Sequence, residues 1–154
     1  MKYLFVLTAV VYGPLSAQID SVLFHRAAAH VEAGRTDSAI AGFEAVLSYK
    51  TSRWRLDALL SLGRIAFESL GDFRKALRYY DNAYVEYFHQ PGRAHAVFML
   101  GYIYANALKD YRRAEGYYTE FLRLYPDHEL VPSVRFELEH LGRDIDGIVI
   151  PDDP

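Results

Sequence analysis

The chain has no cysteine in its 154 residues. Disulfides, thiolate metal sites and cysteine nucleophiles are excluded together. It also lacks a surplus of positive charge. Seventeen Lys and Arg stand against twenty Asp and Glu, a formal net charge of −3. A surface that grips a phosphate backbone needs clustered Lys and Arg, so nucleic acid is not an expected partner. The pairs Arg74-Lys75 and Arg112-Arg113 are short and have acidic neighbours, which reads as a solvated face. The usual catalytic signatures are missing too. There is no His-Glu-x-x-His zinc pair, no phosphate-cradling glycine loop and no serine elbow. Asp127-His128-Glu129 offers three potential ligands, but adjacent loop residues rarely converge on one ion. The expectation is a non-enzyme with no catalytic residue, no cofactor and no metal.

Long apolar runs are scarce as well. The exception is at the start, where Lys2 precedes an apolar run from Tyr3 to Tyr12. Gly13-Pro14 then breaks the pattern, and Leu15-Ser16-Ala17 offers small residues before Gln18. This is the layout of a secretory signal peptide covering residues 1–17. The run is too short to cross a bilayer, which takes about 20 residues. Cleavage near Ala17 would leave an exported chain with no stable membrane span. With no cysteine at the new terminus there is no lipid anchor, and the expected compartment is the periplasm.

What is abundant is a pattern written twice. Ala58-Leu59-Leu60-Ser61-Leu62-Gly63 is answered 38 residues on by Ala96-Val97-Phe98-Met99-Leu100-Gly101. Asp72-Phe73-Arg74-Lys75-Ala76 is answered by Asp110-Tyr111-Arg112-Arg113-Ala114, and Tyr79-Tyr80 by Tyr117-Tyr118. Self-similarity at such a period marks a repeat architecture. The apolar spacing between the breaks is helical throughout. It predicts helices over 19–33, 38–49, 54–70, 73–88, 93–108, 111–125 and 132–141. Asp20 with Ser21, Thr36-Asp37-Ser38, Asp72 and Asp110 are read as N-terminal caps. Gly34, Gly71 and Gly142 are read as stops. Val134, Phe136, Leu138 and Leu141 are the apolar members of the last helix. The segment 143–154 has no periodicity and is expected to be an extended or disordered tail.

These hairpins are similar to tetratricopeptide repeats. The match rests on Leu62-Gly63, Ala66, Ala76, Tyr80 and Ala83 in one unit. In the next it rests on Leu100-Gly101, Tyr104, Ala114, Tyr118 and Pro126. An earlier unit is carried by Ala27, His30, Gly34, Ala39, Phe43 and Val46. Phe121 stands where that pattern has a small residue and Phe88 where it has proline. Both full units also hold one extra residue between glycine and second helix, which is expected to lengthen the hairpin turn. The resemblance spans about 18–126. It implies an all-α fold, an α-α superhelix of about three hairpins with a C-terminal capping helix, the whole domain covering 18–142. With the leader and Phe121-Leu122-Arg123-Leu124-Tyr125-Pro126-Asp127, the chain also resembles exported bacterial repeat proteins of the Tol–Pal-associated kind. It lacks their N-terminal coiled coil.

The resemblance implies a concave groove lined by first-helix positions. These are Phe24, Ala28, Val31 and Glu32 in the first unit. In the second they are Asp57, Leu60, Arg64, Phe67 and Glu68. In the third they are His95, Phe98, Tyr102, Ala105 and Asn106. Aromatics and Arg dominate interface energy, and the implied partner is a peptide or helix of another protein. The expected role is a protein-binding scaffold in envelope assembly or division. Self-association into a dimer through the Tyr-rich second helices is one alternative. A glycan- or small-ligand-binding accessory subunit, suggested by Trp54, is another. Expressed with its leader, the protein should shorten by about 17 residues and appear in the periplasmic fraction. Immunoblotting of fractions checks this, and full-length protein in the cytosol contradicts it.

Overall fold

The structure, a computed structural model, describes residues 4–142, with side chains from Gln18 onward. Both the side chains of the leader and the tail 143–154 lie outside the described residues. Every regular element among the described residues is helical. The order is α1 Leu4–Glu32, α2 Thr36–Ser48, α3 Arg55–Arg64, α4 Phe73–Glu86, α5 Arg93–Tyr102, α6 Tyr111–Leu124 and α7 Val131–Glu139. A π-helical turn, Ile65–Ser69, continues α3, and another, Ile103–Ala107, continues α5. Packing divides the chain into two compact units, Met1–Arg93 and Ala94–Pro154. Among the described residues no helix is long and apolar enough to cross a membrane.

In the first unit α1 packs on α2, α2 on α3 and α3 on α4. Its core is Ala27, Ala39, Phe43, Val46, Ala58, Leu62 and Ile65. Each large member, once buried, is worth roughly 1.5–3 kcal/mol of transfer free energy. The α1–α2 pair closes through small residues, since a Cβ on Gly42 would lie 2.7 Å from the Cβ of Ala27. The α3–α4 pair closes differently. The ring of Tyr80 lies over Gly63, where an added Cβ would meet Cζ at 2.8 Å. In the second unit the ring of Tyr118 covers Gly101, with Cε1 2.6 Å from the missing Cβ. Tyr80 and Tyr118 are fully buried. Glycine is required at 63 and 101 because the partner ring occupies the space a side chain would need. Behind α6, α7 buries Val134, 38 residues on from Ala96 and at the same depth. By register α7 is the first helix of a further repeat.

The extra residue of each full unit goes into the helix and not into the turn. Leu70 donates to Ile65 O and Leu108 to Ile103 O, both at 3.1 Å and both five residues back. The next closures, Asp72 to Ala66 O and Asp110 to Tyr104 O, are 2.9 Å. A wider last turn accommodates one more residue while keeping its backbone groups paired. Asp72 Oδ1 then accepts from Lys75 N at 2.9 Å and Asp110 Oδ1 from Arg113 N at 3.1 Å, the expected caps. Gly71 sits at φ 62°, but its repeat counterpart Lys109 holds φ 54° with a side chain.

Several local expectations are corrected. The bounds of α1 run through Gly13-Pro14, so Asp20 and Ser21 lie inside the helix and cap nothing. The cap of α2 is Arg35, without a side-chain bond, and Thr36-Asp37-Ser38 form its first turn. Ile19, Val22 and Phe136, whose spacing makes them members of apolar helix faces, are exposed at 41, 65 and 50%. Apolar spacing identifies a helix face, but only neighbouring elements decide whether that face is covered.

Gly101→Ala should destabilise the fold by about 1–3 kcal/mol through overpacking against Tyr118. Gly116→Ala, whose Cβ would meet nothing within 4 Å, should stabilise it by about 0.5–1 kcal/mol. Lys109→Gly should add up to about 1 kcal/mol by relieving the left-handed backbone. Thermal melts followed by circular dichroism separate the three.

Candidate functional site

On α3 and its π turn the buried positions are 56, 58, 59, 62, 63, 65 and 66. The expected site residues fall between them. Asp57, Arg64 and Glu68 are exposed, and Leu60 and Phe67 are half-buried. They form one stripe along the helix, and partial desolvation raises the Asp57 carboxyl pKa. Two of them are less open than their spacing suggests. The turn at Gly92 reaches Leu60, whose Cδ1 lies 3.3 Å from a Cβ placed on that glycine. The Phe67 ring leans on Phe73 at the start of α4, with centroids 5.7 Å apart. Phe67 sits in the π turn, which rotates it relative to a regular helix.

Of the first-unit positions on α1, Phe24, Ala28 and Val31 pack against the core and Glu32 is exposed. Phe24 stacks on Trp54 at 4.7 Å and 15°, and tilts against Phe43 at 5.5 Å. Trp54 is also met by His25 edge-on at 5.0 Å and by the Arg53 guanidinium at 4.8 Å. A ring engaged on this scale is not the open platform that a sugar needs.

Sequence reasoning overlooked Arg55. Its guanidinium donates to the carbonyl of Leu47, at the C-terminal end of α2. It also donates to Tyr87 OH at 3.1 Å and pairs with Glu86 at 3.4 Å. One cation thus ties the ends of α2 and α4 to the start of α3, beside an open recess of about 500 Å³. A cation suits a helix C-terminus because of its partial negative charge. No local signal marks this role, since the partners lie eight and more than thirty residues away.

In the second unit His95 and Asn106 are exposed, and Phe98 and Tyr102 are half-buried. Ala105, also expected to line this face, is buried instead. The rings of Phe98 and Tyr102 are 6.0 Å apart, and Phe98 lies 6.3 Å from Tyr118. Asn106 Nδ2 donates to Tyr102 O at 3.2 Å and reaches Glu137 Oε2 at 3.5 Å. Tyr118 OH donates to the same Glu137 oxygen at 3.3 Å. The last helix therefore contributes to this face. Positions 38 beyond Phe98 and Tyr102 are Phe136 and His140, whose rings stack at 4.1 Å. The repeat offset that relates Leu60 to Phe98 could have located Phe136, which periodicity alone marks only as an apolar member of its helix.

Among the described residues no group of three acidic, His or Cys side chains could hold a metal ion. His128 is occupied in its turn, with Nδ1 accepting from Leu130 N at 3.1 Å and its ring against Phe121. Besides Asp57, the perturbed acids are tyrosines. Burial, helped by Glu44, lifts the Tyr79 hydroxyl to about 12. Burial first, then Glu68 for Tyr80 and Glu137 for Tyr118, raises those two further. Hydroxyls shifted this way remain neutral hydrogen-bond donors and have no acid–base role near neutral pH.

Residues 65–129 match the family described as Tetratricopeptide repeat. The matched span begins at the π turn of α3 and covers α4, α5 and α6. Repeats of this family typically serve as non-catalytic protein-interaction scaffolds. No curated protein matches the chain.

A tyrosine whose folded pKa exceeds its unfolded value holds its proton longer when folded. The stability it contributes is whole below about pH 10 and is lost as pH rises toward the folded pKa. The melting temperature should therefore fall between about pH 10 and pH 12, and less steeply in Tyr79→Phe. Melts across that range with phenolate absorbance check the sign.

Proposed function

We propose that the chain is a non-enzymatic scaffold that holds a partner polypeptide along the exposed stripes of its first helices. The repeat match over 65–129 supports a protein-interaction module. The observation that carries the reading is the half-exposure of large side chains along the first helix in both units, with Leu60 and Phe98 at equivalent places. Leu60 and Phe67 in one, and Phe98 and Tyr102 in the other, are neither buried nor fully solvated. Each stripe mixes these with Arg64, Glu68, His95 and Asn106. That is the pairing of apolar area and directional polar groups found where one chain recognises another.

The place of action is proposed from the leader. Residues 1–17 have the layout of a secretory signal, which would deliver the mature chain to the periplasm. The resemblance to exported envelope repeat proteins suggests a role in envelope assembly or division. A self-associating module is the second reading. It is favoured by Val85 and Phe88, which are 64 and 61% exposed at the end of α4 and just beyond it. Light scattering during size exclusion separates the two, and a monomer at every concentration contradicts self-association.

Phe98→Ala and Arg64→Ala each remove a large side chain from a stripe without opening the core. Each should weaken capture of envelope partners by about tenfold or more, with helicity and melting temperature near wild type. Affinity capture from native envelope, quantified by mass spectrometry, is the measurement. Unchanged capture by both variants would move the site elsewhere.

A further inference from the structure

Among the described residues of the second unit, Glu137 is a carboxylate bonded to the buried Tyr118. It is half-buried on α7, and its Oε2 accepts from Tyr118 OH and lies within reach of the Asn106 amide. Both donors are neutral. No Lys, Arg or His lies within ion-pair distance of it among the described residues, whose ion pairs are those of Arg55, Arg113 and Arg123. Its Oε1 has no protein donor among them. The Phe98 ring lies 6.3 Å from Tyr118 and 6.0 Å from the Tyr102 ring, and Asn106 also bonds the backbone carbonyl of Tyr102. A half-buried anion held by neutral donors keeps most of its charge uncompensated. Aromatic faces beside it add a further attraction for cations. We infer that Glu137 and these rings together form a recess that receives a basic side chain, Arg or Lys, of the partner polypeptide. The ammonium or guanidinium pairs with Oε1 of Glu137 while its alkyl stem lies against Phe98 and Tyr102. The inference rests on the proposed scaffold function and adds to it the chemistry of one partner position. The Tyr118 and Asn106 bonds hold the carboxylate in place before binding, so little side-chain freedom is lost when the cation arrives.

The test pans a random twelve-residue peptide library against the full chain and against its Phe98→Ala and Glu137→Gln variants. Binding peptides are then measured by fluorescence anisotropy. Glutamine keeps the shape of Glu137 and can still accept from Tyr118, so the fold is retained, which a melt verifies. The expected result is a set of peptides lost on Phe98→Ala that share one Arg or Lys. Their affinity should fall about tenfold on Glu137→Gln, and by as much when that basic residue is replaced with norleucine. The norleucine arm leaves the protein untouched, so it decides the matter even if the variant is destabilised. Peptides lost on Phe98→Ala that share no basic position, or that bind Glu137→Gln as well as wild type, overturn the recess and leave the scaffold reading standing. Enriched peptides indifferent to Phe98→Ala overturn both.

Discussion

A tyrosine ring lying on a glycine is the contact on which both full repeats depend. Tyr80 meets Gly63 and Tyr118 meets Gly101, at distances that leave no space for one added carbon. The helices of each pair can approach because one has no side chain at the crossing. The other fills the gap with a flat ring whose area is buried almost completely. The hydroxyl end is the cost of using a tyrosine there. In the second unit Tyr118 OH reaches Glu137, which brings α7 into the same network. The close approach that sets the hairpin thus also places the Tyr118 hydroxyl against a carboxylate of the next helix.

The π turns connect this packing to the exposed stripes. A thirteen-residue spacing from Gly63 to Ala76, repeated from Gly101 to Ala114, puts one residue more into each hairpin. Lengthening the loop would have left backbone groups to be satisfied outside the helix. Widening the last turn satisfies them inside it. The same widening changes where the final residues point. Phe67 leans on Phe73, and Asn106 reaches Tyr102 O and Glu137. The ends of the two stripes consequently differ, one aromatic and one polar, although the repeats that carry them are similar.

Arginine clamps at the start of the first helices add to these contacts. Arg55 engages the Leu47 carbonyl of α2 and two side chains at the end of α4. Its counterpart 38 residues on, the buried Arg93, likewise donates to a carbonyl near the end of the preceding helix, Tyr84 O at 2.8 Å. Arg55 holds the ends of three helices at once, which suits a unit whose first pair closes through Ala27 and Gly42 and not through a tyrosine. The stripes therefore rest on a framework held together by ring–glycine contacts, by small-residue contact and by charged clamps.

Much of this was legible in the residues. The 38-residue echo, the glycines at 63 and 101, the small residues at 76 and 114 and the caps at Asp72 and Asp110 each express a local requirement. Local requirements are written where they act. Helix type and pairing followed from them, because a glycine under a ring and an aspartate before a helix each have one natural reading, and the candidate stripes followed from the resemblance to tetratricopeptide repeats. Other features have no local signature. Whether Phe136 is covered, whether Phe24 faces solvent or Trp54, which cation serves the end of α2, and whether an extra residue enters a loop or a π turn all depend on chain distant in sequence. The sequence alone determined a series of helical hairpins and the places where they close. Only the tertiary structure decided which side chains those closures leave exposed and that Glu137 meets neutral donors among the described residues, because exposure and charge pairing belong to the neighbours that folding brings together.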